Sequence, residues 1–224
     1  MPQSGQAPVG PNFISPRFVV NVVMAPKNCK RQTIFFYAIL FEAFLAVLAV
    51  GMGWLMGYHP IRNLQATCCN EKILAEEVLW GLLAVFPMLL IPSAVEMLNW
   101  EPLQEIKRLL VEFVRWLCAG RSTLELAAIS GVAGFSEELL FRGTLLEGIL
   151  HHFGSSWLIL AGSSLLFGLA HAITLTYFVL ATGAGIYFGV LVMATDSLVP
   201  AMVAHSVYDF VVLSYMTRRL QQHQ

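Results

Sequence analysis

Glu137, Glu138 and Arg142 stand together in the stretch Phe135-Ser136-Glu137-Glu138-Leu139-Leu140-Phe141-Arg142-Gly143, and between Ser122 and Leu146 the only other ionisable residue is Glu125. Farther along, His171 follows Phe167 by four residues, and Asp209 follows His205 by the same step. A carboxylate and an imidazole that share a water can activate it for attack on a carbonyl. A second imidazole can then donate to the oxyanion that develops, a contact worth about 100- to 1000-fold in rate. Nucleophilic alternatives lack their motifs. Ser136 lies in Gly-Phe-Ser-Glu-Glu rather than G-x-S-x-G, no cysteine neighbours a candidate base, and H-E-x-x-H, the usual zinc-protease helix, is absent.

The spacing carries a division of labour. Glu138 and Arg142 are four apart, so they share a helix face with the acid on the N-terminal side. Glu137 points about 100° away from its neighbour. One carboxylate can therefore neutralise the arginine while the other faces a cavity.

These residues must be positioned by a membrane protein. The chain of 224 residues is 57% hydrophobic and 12% charged, where soluble domains carry about 25% charged residues. Its net charge of −1 names no partner, and no basic face marks nucleic acid as one. Cys29, Cys68, Cys69 and Cys118 form no CxxC spacing. The pattern predicts an all-α polytopic bundle of about six spans with an interfacial amphipathic helix. Residues 1–32 read as a flexible, partly basic tail. Residues 33–121 hold two spans, 33–58 and 78–95, a polar loop over 59–77, and the amphipathic stretch 100–118. Pro87 and Pro92 are expected to kink the second span. Leu103, Ile106, Leu110, Phe113, Val114 and Leu117 recur at steps of three and four in the amphipathic stretch. Residues 122–217 form the core. Its first span runs over 122–150, two crossings follow with a break near 173–176, and 198–216 closes the set before a short tail at 218–224. Gly185 and Gly189 make a GxxxG, which lets helices approach closely. Glu42, inside the first span, reads as a carboxylate facing the bundle or an interface rather than as a catalytic group.

With the N-terminus cytoplasmic, the inner segments hold Arg17, Lys27, Lys30, Arg31, Lys107, Arg108, Arg115, Arg121, Arg218 and Arg219, against Arg62 and Lys72 outside. The positive-inside rule thus predicts both termini in the cytoplasm. A charged side chain at the bilayer centre costs about 2.5–3.5 kcal/mol even on lenient scales. Glu137, Glu138, Arg142 and Asp209 must therefore converge, with the two histidines among them. On straight helices, however, His171 would lie nearer the inner face than Glu137 and His205, so a helix must be tilted, bent or shifted.

Glu137-Glu138-x-x-x-Arg142, Phe167-x-x-x-His171 and His205-x-x-x-Asp209 together resemble the CAAX protease and bacteriocin-processing (abortive-infection) family of intramembrane endopeptidases. The surrounding words Glu-Glu-Leu-Leu-Phe-Arg-Gly, Leu-Phe-Gly-Leu-Ala-His and Ala-His-Ser-Val-Tyr-Asp agree, and the likeness covers residues 124–212. The resemblance implies that Glu137 and His171 hold the attacking water. His205 and Asp209 would stabilise the oxyanion or complete the site, with Glu138, Arg142 and Phe167 supporting. The family's last motif often ends in Asn. An ionised Asp209 accepts hydrogen bonds but donates none, so it could orient His205 rather than touch an oxyanion. The resemblance also leaves two chemistries open. A metal-free glutamate mechanism is favoured, and zinc held by Glu137, His171 and His205 is the alternative. The expected substrate is a membrane-associated protein or peptide, cut near the bilayer interface. A non-catalytic immunity factor or scaffold of the same fold is the second reading.

Overall fold

The computed structural model describes residues 29–154 and 157–222, and among these every regular element is a helix. The expected N-terminal tail lies outside the described residues except for 29–32, which already belong to the first helix. In chain order, α1 is Cys29–Leu55, α2 Ile61–Cys68, α3 Glu71–Met88, α4 Leu90–Met97 and α5 Glu101–Leu117. The motif helix follows as α6, Thr123–Glu138, a π-helical stretch, Leu139–Glu147, and α7, Gly148–Phe153. Then come α8, Trp157–Ala170, α9, Leu175–Thr195, and α10, Val199–Gln222.

Among the described residues, four helical stretches are long and apolar enough to cross a membrane: Gln32–Leu55, Glu71–Met97, Leu175–Thr195 and Val199–Gln222. Against the six crossings read from sequence, the other two regions differ for distinct reasons. Helix α8 has 14 residues, about 21 Å at 1.5 Å per residue, less than the roughly 30 Å hydrocarbon core. The motif helix has the length but carries Glu137, Glu138, Arg142 and Glu147. Phe36, Tyr37, Phe41, Phe44 and Trp54 of α1 are exposed, as apolar side chains facing lipid would be.

Two boundaries depart from the sequence reading, and one expected interruption is present. Residues 59–77, expected as a polar loop, are mostly helical. Asn70 caps α3 by accepting from the Ile73 backbone N–H at 3.3 Å, so Glu71 to Glu77 continue the helix downward into the span. Glu77 is satisfied there, accepting from the Ser197 hydroxyl at 2.7 Å. The second crossing breaks at Leu89, between Pro87 and Pro92, where Pro92 has no N–H to offer the Met88 carbonyl. The last helix continues through Gln222, past the expected end at 216.

In α5, Leu103, Ile106, Val114 and Leu117 of the amphipathic stripe are buried, while Phe113 remains exposed. Val114 and Leu117 share a cluster with Phe35, Leu126 and Ile129, which ties α5 to the feet of α1 and α6. The motif helix starts in a capping box, Ser122 and Glu125 each accepting from the other's backbone N–H. Its partners come close through small residues. A Cβ on Gly134 would lie 2.6 Å from the Ser206 backbone nitrogen, one on Gly185 3.1 Å from Ser164 Cα, and one on Gly189 against Leu160. Gly134 thus presses α6 on α10, and the GxxxG of α9 packs on α8.

Candidate active site

The depth problem resolves in the turns. From Glu137 the motif helix rises for sixteen residues to Phe153, and α8 with its trailing turn descends fourteen from Trp157 to His171. Two nearly equal arms return His171 to the level it left. On the other side, α10 begins low: Leu198 and Pro60 pack where a Gly143 side chain would be. Six residues down from Gly143 lies Glu137, and six down from Val199 lies His205. Both therefore lie below that contact at similar depth.

The seven residues of the three motifs therefore meet. Arg142 is buried, its Nη1 donating to Glu138 Oε1 at 2.8 Å and its Nη2 to the Gly185 carbonyl at 3.1 Å. The guanidinium lies 4.3 Å from the Phe167 ring centre and 5.2 Å from that of Phe188, a placement favoured by the ring quadrupoles. Glu138 has a second task that the i,i+4 spacing does not disclose. The same Oε1 accepts from His205 Nδ1 at 2.8 Å. Phe188 stacks on that imidazole with 5.0 Å between ring centres, so its orientation is fixed on two sides.

On the neighbouring face of α6, Glu137 Oε2 stands 3.5 Å from His171 Nε2 and 3.9 Å from His205 Nε2. Glu137 Oε2 is buried without a hydrogen-bond partner among the described residues. His171 lies just past the C-terminus of α8, where its Nδ1 donates to the Phe167 carbonyl at 2.9 Å. The Phe167 ring lies 4.5 Å from it. Asp209 Oδ2 is 3.6 Å from His205 Nε2, beyond hydrogen-bonding distance. Glu138, not Asp209, is therefore the acceptor that orients His205.

The π-helical stretch begins at the residue after Glu138. Such stretches are rare and tend to fall at functional sites. Here Thr144 supports it, its hydroxyl donating to the carbonyls of Leu139, five residues back, and of Ala49 on α1. Leu139, Phe141, Arg142 and Thr144 are all buried in it.

Zinc takes tetrahedral ligands at about 2.0–2.2 Å. Among the described residues no group of three or more His, Cys, Asp or Glu side chains is arranged to hold a metal ion. In the zinc alternative to the metal-free mechanism Glu137, His171 and His205 would hold the ion; Glu137 Oε2 stands 3.5 Å and 3.9 Å from the two imidazole Nε2 atoms.

Comparison with curated proteins and with solved structures found no match. A family comparison did. Residues 119–211 match the model described as Rce1-like, "Type II CAAX prenyl endopeptidase Rce1-like". The CAAX-protease resemblance carried by the three motifs thus holds over that segment, which contains all seven of their residues. The match supports a peptidase in a lipid environment.

Proposed function

We propose that this Rce1-like segment makes the chain an intramembrane endopeptidase that hydrolyses a peptide bond with a water held between Glu137 and His171. The observation that carries this reading is the facing pair itself. With Nδ1–H committed to the Phe167 carbonyl, the Nε2 of a neutral His171 is an acceptor, and so is the Glu137 carboxylate 3.5 Å away. One water can donate a hydrogen to each. Glu137 then takes a proton as the water oxygen bonds to the scissile carbonyl carbon. The oxyanion forms on the His205 side. There Nε2–H donates to it when the ring is doubly protonated, with Glu138, Asp209 and Glu137 as neighbouring carboxylates. Glu137 returns its proton to the departing nitrogen as the carbon–nitrogen bond breaks, which leaves a carboxylic acid and an amine.

The test is comparative membrane proteomics of cells carrying wild-type or Glu137→Ala protein. One or more membrane-associated proteins should accumulate uncleaved in the variant. Identical membrane proteomes would favour the non-catalytic immunity or scaffold role.

The same reading places both termini in the cytoplasm, on the distribution of ten inner against two outer basic residues. Reporters fused at residue 65 and residue 224 should report opposite sides. Reporters on one side would remove this topology.

A further inference from the structure

Glu42 of α1 lies outside the segment that matches the family. Its Oε2 is buried without a hydrogen-bond partner among the described residues. A buried polar atom left in that state lowers stability.

Two observations say where it points. On α1, Phe35 and Ala49 are buried, and Ala38, Ile39, Leu45 and Ala46 pack against the core clusters. Glu42 continues that stripe at steps of three and four, so it shares the face turned to the motif helix rather than to lipid. The height follows from contacts on either side. Arg121 lies over the Phe35 ring at 4.3 Å, and Phe35 clusters with Leu126 and Ile129. Seven residues above Glu42, the Ala49 carbonyl accepts from Thr144. The two helices run parallel, and halfway between these contacts Glu42 falls level with about Ala133 to Glu137 at equal rise per residue.

We infer that Glu42 is a substrate-positioning residue of this centre, its free carboxylate oxygen accepting a hydrogen bond from a backbone N–H of the peptide segment being cut. This rests on the peptidase reading. A peptide strand entering a water-poor site brings amide donors that need acceptors. Glu137 is committed to water in that reading and Glu138 Oε1 to Arg142 and His205, while Glu42 Oε2 has no hydrogen-bond partner among the described residues.

The inference separates function from stability. A structural residue, when replaced, weakens the fold; an unsatisfied functional one, when replaced, relieves it. Glu42→Gln and Glu42→Leu would be purified in detergent, with thermal unfolding and cleavage of a farnesylated Cys-a-a-X peptide measured for each. We expect unchanged or raised Tm in both. For Glu42→Leu, kcat/KM should fall about 10- to 100-fold, as loss of a charge-assisted hydrogen bond implies, mainly through KM. Glu42→Gln, which keeps a carbonyl acceptor, should lose less. A lowered Tm in both variants would make Glu42 structural and overturn the inference. So would unchanged kcat/KM in variants of an active enzyme. If the wild type itself leaves the peptide whole, the peptidase reading fails for that substrate class, and the positioning role fails with it.

Discussion

Glu137→Gln and His171→Ala should each abolish most turnover, and the double variant should be scarcely slower than either one. The expectation follows from their geometry. The two side chains come from different helices, face each other at 3.5 Å, and in the proposed reaction hold a single water. General-base assistance contributes about 10²- to 10⁴-fold, and once either holder is gone the water is no longer oriented for the other. Groups that act as one unit are grossly non-additive in kinetics. Glu137→Gln keeps the volume and removes the base. His171→Ala removes an acceptor whose ring also packs on Phe167, so its folded fraction must be measured alongside. The measurement is turnover of an identified substrate in liposomes, with and without a chelator. Losses that multiply independently would sink the shared-water mechanism. Chelator sensitivity reversed by zinc would keep the residues and recast them as metal ligands.

How much of this was legible in the sequence depends on the range over which each feature is determined. The Glu138–Arg142 pair is a matter of helical spacing and could be read directly. So could the divergence of Glu137 from Glu138, because adjacent residues on any α-helix point about 100° apart. The meeting of three polar helices followed from the cost of charge in lipid. The link from Glu138 to His205 spans 67 residues, and no local pattern encodes it. The sequence reading therefore gave Glu138 one partner where it has two. The π-helical stretch was hidden for a similar reason. Leu-Leu-Phe-Arg-Gly-Thr-Leu-Leu-Glu contains no proline, and a support for the wider turn is Thr144 bonded to a carbonyl of α1, a tertiary contact. Glu42 reads from sequence as a charge in a span, but its height against Glu137 needs anchors on both sides. Helix α2 and the first turns of α3 are polar in composition, and that composition reads as loop. Asn70 before Glu71 is a capping signal that could have corrected it.

Arg142→Ala should lower the amount and the thermal stability of folded protein as well as its activity. In the fold the guanidinium is enclosed. It donates to Glu138 in one direction and to the Gly185 carbonyl in another, with the rings of Phe167 and Phe188 beside it. It thereby ties the motif helix to α9 and neutralises the carboxylate that holds His205. Removing one partner of a buried ion pair costs about 3–5 kcal/mol, a large share of the roughly 5–15 kcal/mol that holds a domain folded. Arg142→Lys keeps the charge but has a compact ammonium in place of the planar fork. It cannot reproduce both donations at once and should fall between wild type and Arg142→Ala. Glu138→Gln should be destabilised too, because it leaves the arginine buried without a counter-charge. The measurements are yield of monodisperse protein in detergent, Tm, and turnover per folded molecule. Normal yield and Tm in Arg142→Ala with activity lost would mean that the arginine touches the substrate or the reaction intermediate, and its structural role would have to be given up.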